Sequence, residues 1–313
     1  MTGGAARTLV AGGRRVEVRG PADLVARALG PLAALEPRAG DAPPPAGPAV
    51  VARVEVAGPG DVPPDARPRV TRWVAGPPAR ITTDGVGTAT FDADGGVTLR
   101  VREDVPANDL AAERLAIPAL AERLRRDGVF LVHAACLRAP DGAGVWLVPA
   151  ARGSGKTTLS LMLRRAGHGL LSDDRGFLVG PPDAPRIDPW PEAPRVGDRS
   201  LYLLPPDAMP GPRDPVMGKA SVPALTPPRV PAPLPVRGFL LPRLVPGPGG
   251  PATPVRGAAA LAPIASQVVV ATDPATAAAT LAHLAAVLAA RPCYAIPVGD
   301  DPAVAAAAVA ALA

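Results

Sequence analysis

Apolar and polar positions alternate through the first third of the chain. TLVAGGRRVEVRG reads as two strands about a Gly-Gly turn, and VVARVEV, PRVTRWV, ARITTD, GTATFDA and GVTLRVRE repeat the two-residue strand period. PADLVARALGPLAAL interrupts them with a short helix that has Pro21 in its first turn. At IPALAERLRRDG the period lengthens: Ile117, Leu120 and Leu124 share one helical face, with Pro118 near the start and Gly128 past the end. VFLVHAACL, apolar except at His133, predicts one strand buried on both faces, and VWLVP predicts another. TTLSLMLRRAG then sets Leu159, Met162, Leu163 and Ala166 on a helical stripe, and GLLSDD is a short strand ending in two carboxylates.

The proline-dense stretch 181–236 predicts mostly loop, and RGFLLPRLV a strand. TDPATAAATLAHLAAVLAA predicts a helix capped by Asp273 with Pro274 at its first position; after the strand CYAIPV, DDPAVAAAAVAALA repeats that helix start. The pattern predicts an N-terminal α+β accessory region, 1–127, in which no chemistry is legible. An α/β domain of alternating strands and helices follows over 128–313.

Composition narrows the function classes. The 313 residues are 48% hydrophobic and 19% charged, enough for a sizeable core despite 44 prolines; with aromatics at 3%, Ala, Val and Leu must fill it. There is neither a long apolar run nor a secretion-signal pattern, so a cytoplasmic protein without a membrane partner is expected. Cys136 and Cys293 make neither a disulfide framework nor a metal spacing. The net charge of +5 is spread over scattered arginines with few aromatics to stack on bases, so no nucleic-acid partner is expected. Of 33 basic residues only Lys156 and Lys219 are lysine. A lysine kept at position 156 points to a site that needs a compact ammonium rather than a planar guanidinium.

That lysine stands in VPAARGSGKTTL, between the VWLVP strand and the helix. The strand, glycine-rich turn and helix form the context of a phosphate-binding loop, although the pattern G-x-x-x-x-G-K-[ST] has Ala150 where a glycine is usual. Gly153, Ser154, Gly155, Lys156, Thr157 and Thr158 are the candidate phosphate residues, with the Thr157 hydroxyl as a Mg²⁺ ligand. A helix from Lys156 to Ala166 carries the chain about 16 Å away at 1.5 Å per residue. A strand from Gly169 to Asp173 returns it about as far at 3.3 Å per residue. Asp173 and Asp174 are therefore expected beside the loop, one carboxylate taking a proton from an attacking hydroxyl and the other supporting the metal.

Together AARGSGKT, Gly167-His168, LLSDD and His133 on the preceding strand resemble the HPr kinase/phosphorylase family, over about 128–313. The resemblance implies a P-loop kinase domain related in fold to phosphoenolpyruvate carboxykinase. It implies ATP and Mg²⁺ as cofactors and transfer to a serine or threonine hydroxyl of a protein or peptide. Asp173 would be the base, with His133 in the catalytic site and Mg²⁺ on Thr157 and Asp174. Relatives that phosphorylate ribosomally made peptides, lasso peptides among them, make a peptide serine an expected acceptor. The glycine-rich segment of enzymes acting on HPr itself has no counterpart here, and Glu192 is a loose candidate for a second acidic metal ligand. A small-molecule alcohol kinase and a non-catalytic ATP-binding regulator are the alternatives, and the reading leaves room for a homo-oligomer.

Overall fold

The computed structural model describes residues 4–312 except 39–40, 42, 45, 47–48, 59, 66–69, 75, 77, 93, 105–109, 152, 215–217 and 269–273. It is a mixed α/β protein whose contacts divide it into two compact units. One comprises Met1–Phe130 with Val269–Thr280, the other Leu131–Val268 with Leu281–Ala313. Among the described residues no helix is long and apolar enough to cross a membrane.

The first unit contains β1 (Gly4–Ala11), β2 (Arg14–Pro21), α1 (Ala22–Leu29), β3 (Val50–Val56), β4 (Thr71–Val74), β5 (Arg80–Thr83), β6 (Gly87–Phe91), β7 (Val97–Val101) and α2 (Leu110–Arg125). Its strands form one mixed sheet in the order β1-β2-β3-β7-β6-β5-β4. Gly12 and Gly13, with φ of 58° and 68°, make the tight β1–β2 turn that only a residue tolerant of positive φ can supply twice running. α2 starts at Leu110, eight residues before Pro118, so that proline lies inside the helix and not at its start. Pro118 has no N–H for the carbonyl of Arg114, and the Thr71 and Thr83 hydroxyls donate to that carbonyl instead, at 3.1 and 3.3 Å.

The second unit is built on β8 (Phe130–Val132), β9 (Ala134–Arg138), β10 (Val145–Pro149), α3 (Lys156–Arg165), β11 (Gly169–Ser172), β12 (Gly176–Val179), β13 (Arg186–Pro189), β14 (Arg195–Val196) and β15 (Ala220–Ser221). It continues with β16 (Leu234–Leu244), β17 (Thr253–Pro254), α4 (Ala258–Ala265), the part of α5 (Pro274–Ala290) from Leu281 onward, β18 (Cys293–Val298) and α6 (Pro302–Ala310). A nine-stranded sheet runs β11-β9-β10-β16-β13-β12-β8, with β18 also on β16 and β17 on β18. The predicted single strand over VFLVHAACL is two: β8 lies at one edge, and β9 pairs β10 and β11. The break falls at His133, whose N–H donates to the Gln267 carbonyl at 2.8 Å.

β10 pairs β16 in parallel, β16 pairs β18 in parallel, and β9 is antiparallel to both β10 and β11. Strands β10, β11, β16 and β18 therefore all end at one edge of the sheet. α3 packs against β9, β10, β11 and α6, and its Leu159, Met162 and Leu163 join Val148, Ile296 and Val309 in the core. Asp301 caps α6 by accepting the Ala303 N–H at 2.8 Å, with Pro302 at the first position as the sequence predicts. Asp273, the cap expected for α5, lies outside the described residues.

Candidate functional site

The candidate site lies where β10 and β11 end. After Pro149, Ala150 is buried, and no described residue other than glycine has a positive φ. The alanine in place of the usual glycine thus carries no left-handed strain. Gly153 and Gly155 have φ of 85° and 102°, so both need glycine. A Cβ on Gly155 would stand 2.9 Å from Leu244 Cδ2, while around Gly153 there is open space. Gly155 is the left-handed N-cap of α3, and no side chain caps that helix. Its first-turn N–H groups are of the kind that an anion at a helix N-terminus satisfies. Ser154 turns its hydroxyl back to the Ala151 carbonyl at 2.7 Å, and Thr158 meets Ser200 at 2.9 Å on the 3₁₀ turn Asp198–Leu203. Arg152 lies outside the described residues.

Both carboxylates reach the first turn of α3. Asp173 Oδ2 accepts from the Thr157 hydroxyl and from the Arg195 N–H, each at 3.3 Å. Lys156 Nζ donates to Asp174 Oδ1 at 2.8 Å. The same Asp174 oxygen lies 3.0 Å from His133 Nε2, and Arg175 Nε stands 3.4 Å from Asp174 Oδ2. Of the two carboxylates it is Asp173, not the expected metal ligand Asp174, that the Thr157 hydroxyl meets. The reason is the bend that follows β11, which turns Asp173 inward to 4% exposure and leaves the Asp174 side chain at 32%.

The two environments push the carboxyls apart. Burial raises Asp173, against the opposing effect of Lys156 and of the Arg195 N–H. Burial also acts on Asp174, but the His133 hydrogen bond and the charge of Lys156 outweigh it and hold this carboxyl well below the usual range. Asp173 Oδ1 is buried and has no hydrogen-bond partner among the described residues.

Ser172, Ser200 and Arg175 belong to this cluster and were not singled out from the sequence. The Ser172 hydroxyl donates to the Arg175 carbonyl at 2.7 Å and accepts the Asp174 and Arg175 N–H groups at 3.3 and 3.2 Å, folding the acidic turn. A serine immediately before an acidic doublet was the available signal. Arg175 also faces Glu192 at 3.6 Å and stacks over Trp190 at 5.1 Å, so Glu192 connects to Asp174 through a guanidinium. Arg195 enters only by its backbone, its side chain being exposed. His168 is buried with Nδ1 3.2 Å from the Leu163 carbonyl, closing the end of α3 away from the carboxylates. His283 lies in α5.

Mg²⁺ takes oxygen ligands and keeps several waters, so it needs one or two protein groups beside phosphate oxygens. The Thr157 hydroxyl and two carboxylates at the start of α3, one with a partnerless buried oxygen, fit that demand. No described group of three or more His, Cys, Asp or Glu encloses a metal, so phosphate and water would have to complete the shell. No protein-family model matches this chain, and no curated protein sequence matches it significantly.

Proposed function

We propose that the protein is an ATP- and Mg²⁺-dependent kinase that phosphorylates a serine or threonine hydroxyl of a peptide or protein, with a P-loop catalytic domain of the HPr-kinase-like type over 128–313. The observation that carries this reading is the meeting of Lys156 with Asp174 and of Thr157 with Asp173 at a left-handed glycine turn opening α3. Residues 153–158 would hold the nucleotide phosphates, Lys156 leaving Asp174 to reach them. Mg²⁺ held near Thr157 and Asp174 would neutralise phosphate charge.

Asp173 is the proposed base. Its raised carboxyl makes it the more basic of the pair, and Oδ1 is an acceptor without a partner among the described residues. His133 would orient Asp174 from the exposed side. The Thr157–Asp173 contact favours a second division of labour, with Asp173 on the metal and Asp174 as the base.

The test is calorimetric titration with Mg·ATP followed by transfer of labelled phosphate to serine-containing peptides. Lys156→Ala should abolish binding. Asp173→Asn should bind Mg·ATP and lose transfer by about 10²-fold or more. Transfer surviving in Asp173→Asn but lost in Asp174→Asn would select the second division. Binding without transfer to any hydroxyl would leave an ATP-binding regulator, and absence of Mg·ATP binding would reject the kinase.

A further inference from the structure

We propose that Lys219 is a second phosphate-contacting cation of this site, its ammonium meeting the phosphoryl group as it passes from nucleotide to acceptor. The inference rests on the kinase reading and adds a catalytic residue to it.

The first observation is in the sequence. This chain uses arginine at every basic position except 156 and 219. One of those lysines opens α3 in the phosphate loop. A solvated loop cation gains nothing from being lysine in a chain so biased, whereas a compact ammonium differs from a planar fork wherever it must fit beside a phosphate.

The second observation is the place of Lys219 in the fold. Lys219 immediately precedes β15, which pairs β14 through Val196↔Ala220 and Arg195↔Ser221. The Arg195 N–H of that same ladder donates to Asp173. Lys219 is thus one residue from a strand whose partner is tied to the buried carboxylate. The turn carrying it is braced from several directions. Asp214 N–H donates to the Lys219 carbonyl at 2.8 Å, and Arg213 donates to the Gly218 carbonyl at 3.1 Å and pairs with Asp198. Gly218, at φ 64°, donates its N–H to the Asp214 carbonyl at 2.8 Å.

The third observation concerns what the ammonium does there. The Lys219 side chain is half-buried and makes no ion pair or hydrogen bond among the described residues. Lys156 opens the helix whose Thr157 donates to Asp173, and Lys219 precedes the strand paired with Arg195, whose N–H donates to the same carboxylate. In phosphoryl transfer, negative charge spreads over three equatorial oxygens while the acceptor oxygen bonds to phosphorus and the bond to the leaving oxygen breaks. Lys156 would serve the nucleotide side and Lys219 the acceptor side. Lys219 keeps its proton throughout, and the acceptor's proton goes to the carboxylate pair.

The experiment compares wild type, Lys219→Ala and Lys219→Arg, each confirmed folded by circular dichroism. Each is titrated with Mg·ADP alone and with Mg·ADP plus aluminium fluoride, a mimic of the phosphoryl group in flight. Lys219→Ala should bind Mg·ADP like wild type and lose about 10²-fold of the affinity gained from fluoride. Lys219→Arg should not restore it. A full fluoride gain in Lys219→Ala overturns the role of Lys219 and leaves the kinase standing. A wild type that binds Mg·ADP without any fluoride gain likewise overturns it. A wild type that binds no Mg·nucleotide overturns the kinase reading and this inference with it.

Discussion

Asp173 is a carboxylate buried against its own ionisation. Its folded-state carboxyl is raised above the ordinary aspartate value, chiefly by burial, so the folded protein holds that proton more tightly than the unfolded chain does. The sign follows directly. The stabilising contribution of Asp173 is fully present below the ordinary value and is lost as pH rises through the raised one. At neutral pH, which lies above the ordinary value, the aspartate is therefore a net cost to the fold. Asp173→Asn removes the charge and can keep an oxygen toward Thr157 and Arg195 N–H, where Oδ2 now accepts at 3.3 Å. The variant should melt higher than wild type at pH 7, by about 2–4 °C for each kcal/mol gained. Denaturation at a series of pH values should show that advantage growing from the ordinary aspartate value up to the raised one and then levelling off. A variant no more stable than wild type at pH 7 would mean that the Asp173 charge is already compensated, and the argument for its basicity would fall.

The start of α3 makes an equally specific demand on a whole element. Gly155 holds φ at 102°, and a Cβ there would also meet Leu244. Gly155→Ala should cost about 1–2 kcal/mol from the left-handed backbone alone. Adding Leu244→Ala opens the space without changing φ, so it should recover only part of the loss in a denaturation experiment; full recovery would show that crowding, not conformation, selects the glycine. This turn was legible in the sequence because glycine spacing and a following apolar stripe act locally. So were β1 to β7, where alternation and Gly-Gly punctuation agree, and the return of β11 to the loop, which needs only helix and strand rise. The rest depends on tertiary partners. Nothing local reveals that VFLVHAACL is cut at His133, because the cut is made by the Gln267 carbonyl far along the chain. Pro118 hid the first half of α2, since two threonines from other strands replace its missing donor's role at Arg114. The hairpin of β12 and β13 was missed because its strands are four residues each, set among prolines and closed by Gly180. α4 carries Pro263 within eight residues and gave no helical signal. In the site, the pairing of Thr157 with Asp173 rather than Asp174 turns on which residue past β11 faces inward, a register that spacing alone leaves open.

At the scale of the molecule, the chain is two contact units of comparable size, and every residue assigned to phosphate, metal or proton transfer belongs to the second. A ligand stabilises only what must stay folded to bind it, by about 2.7 kcal/mol at a concentration of 100 times its Kd. Mg·ATP should therefore slow amide exchange in the second unit, foremost in β10, α3, β11 and the β14–β15 ladder. Exchange in β1 to β7 should be unchanged, since amides there open with the local stability of their own sheet. Peptide-resolved hydrogen exchange with and without Mg·ATP measures both sets in one experiment. Lys156→Ala, whose side chain is itself part of the loop, should erase the ligand effect in the second unit while leaving exchange in the first where it was. If the strands of the first unit gained protection equal to that of α3, the two units would be opening as one cooperative body. The nucleotide would then be stabilising the accessory sheet as much as the site, and residues 1–130 would have to be counted as part of the machinery that binding orders.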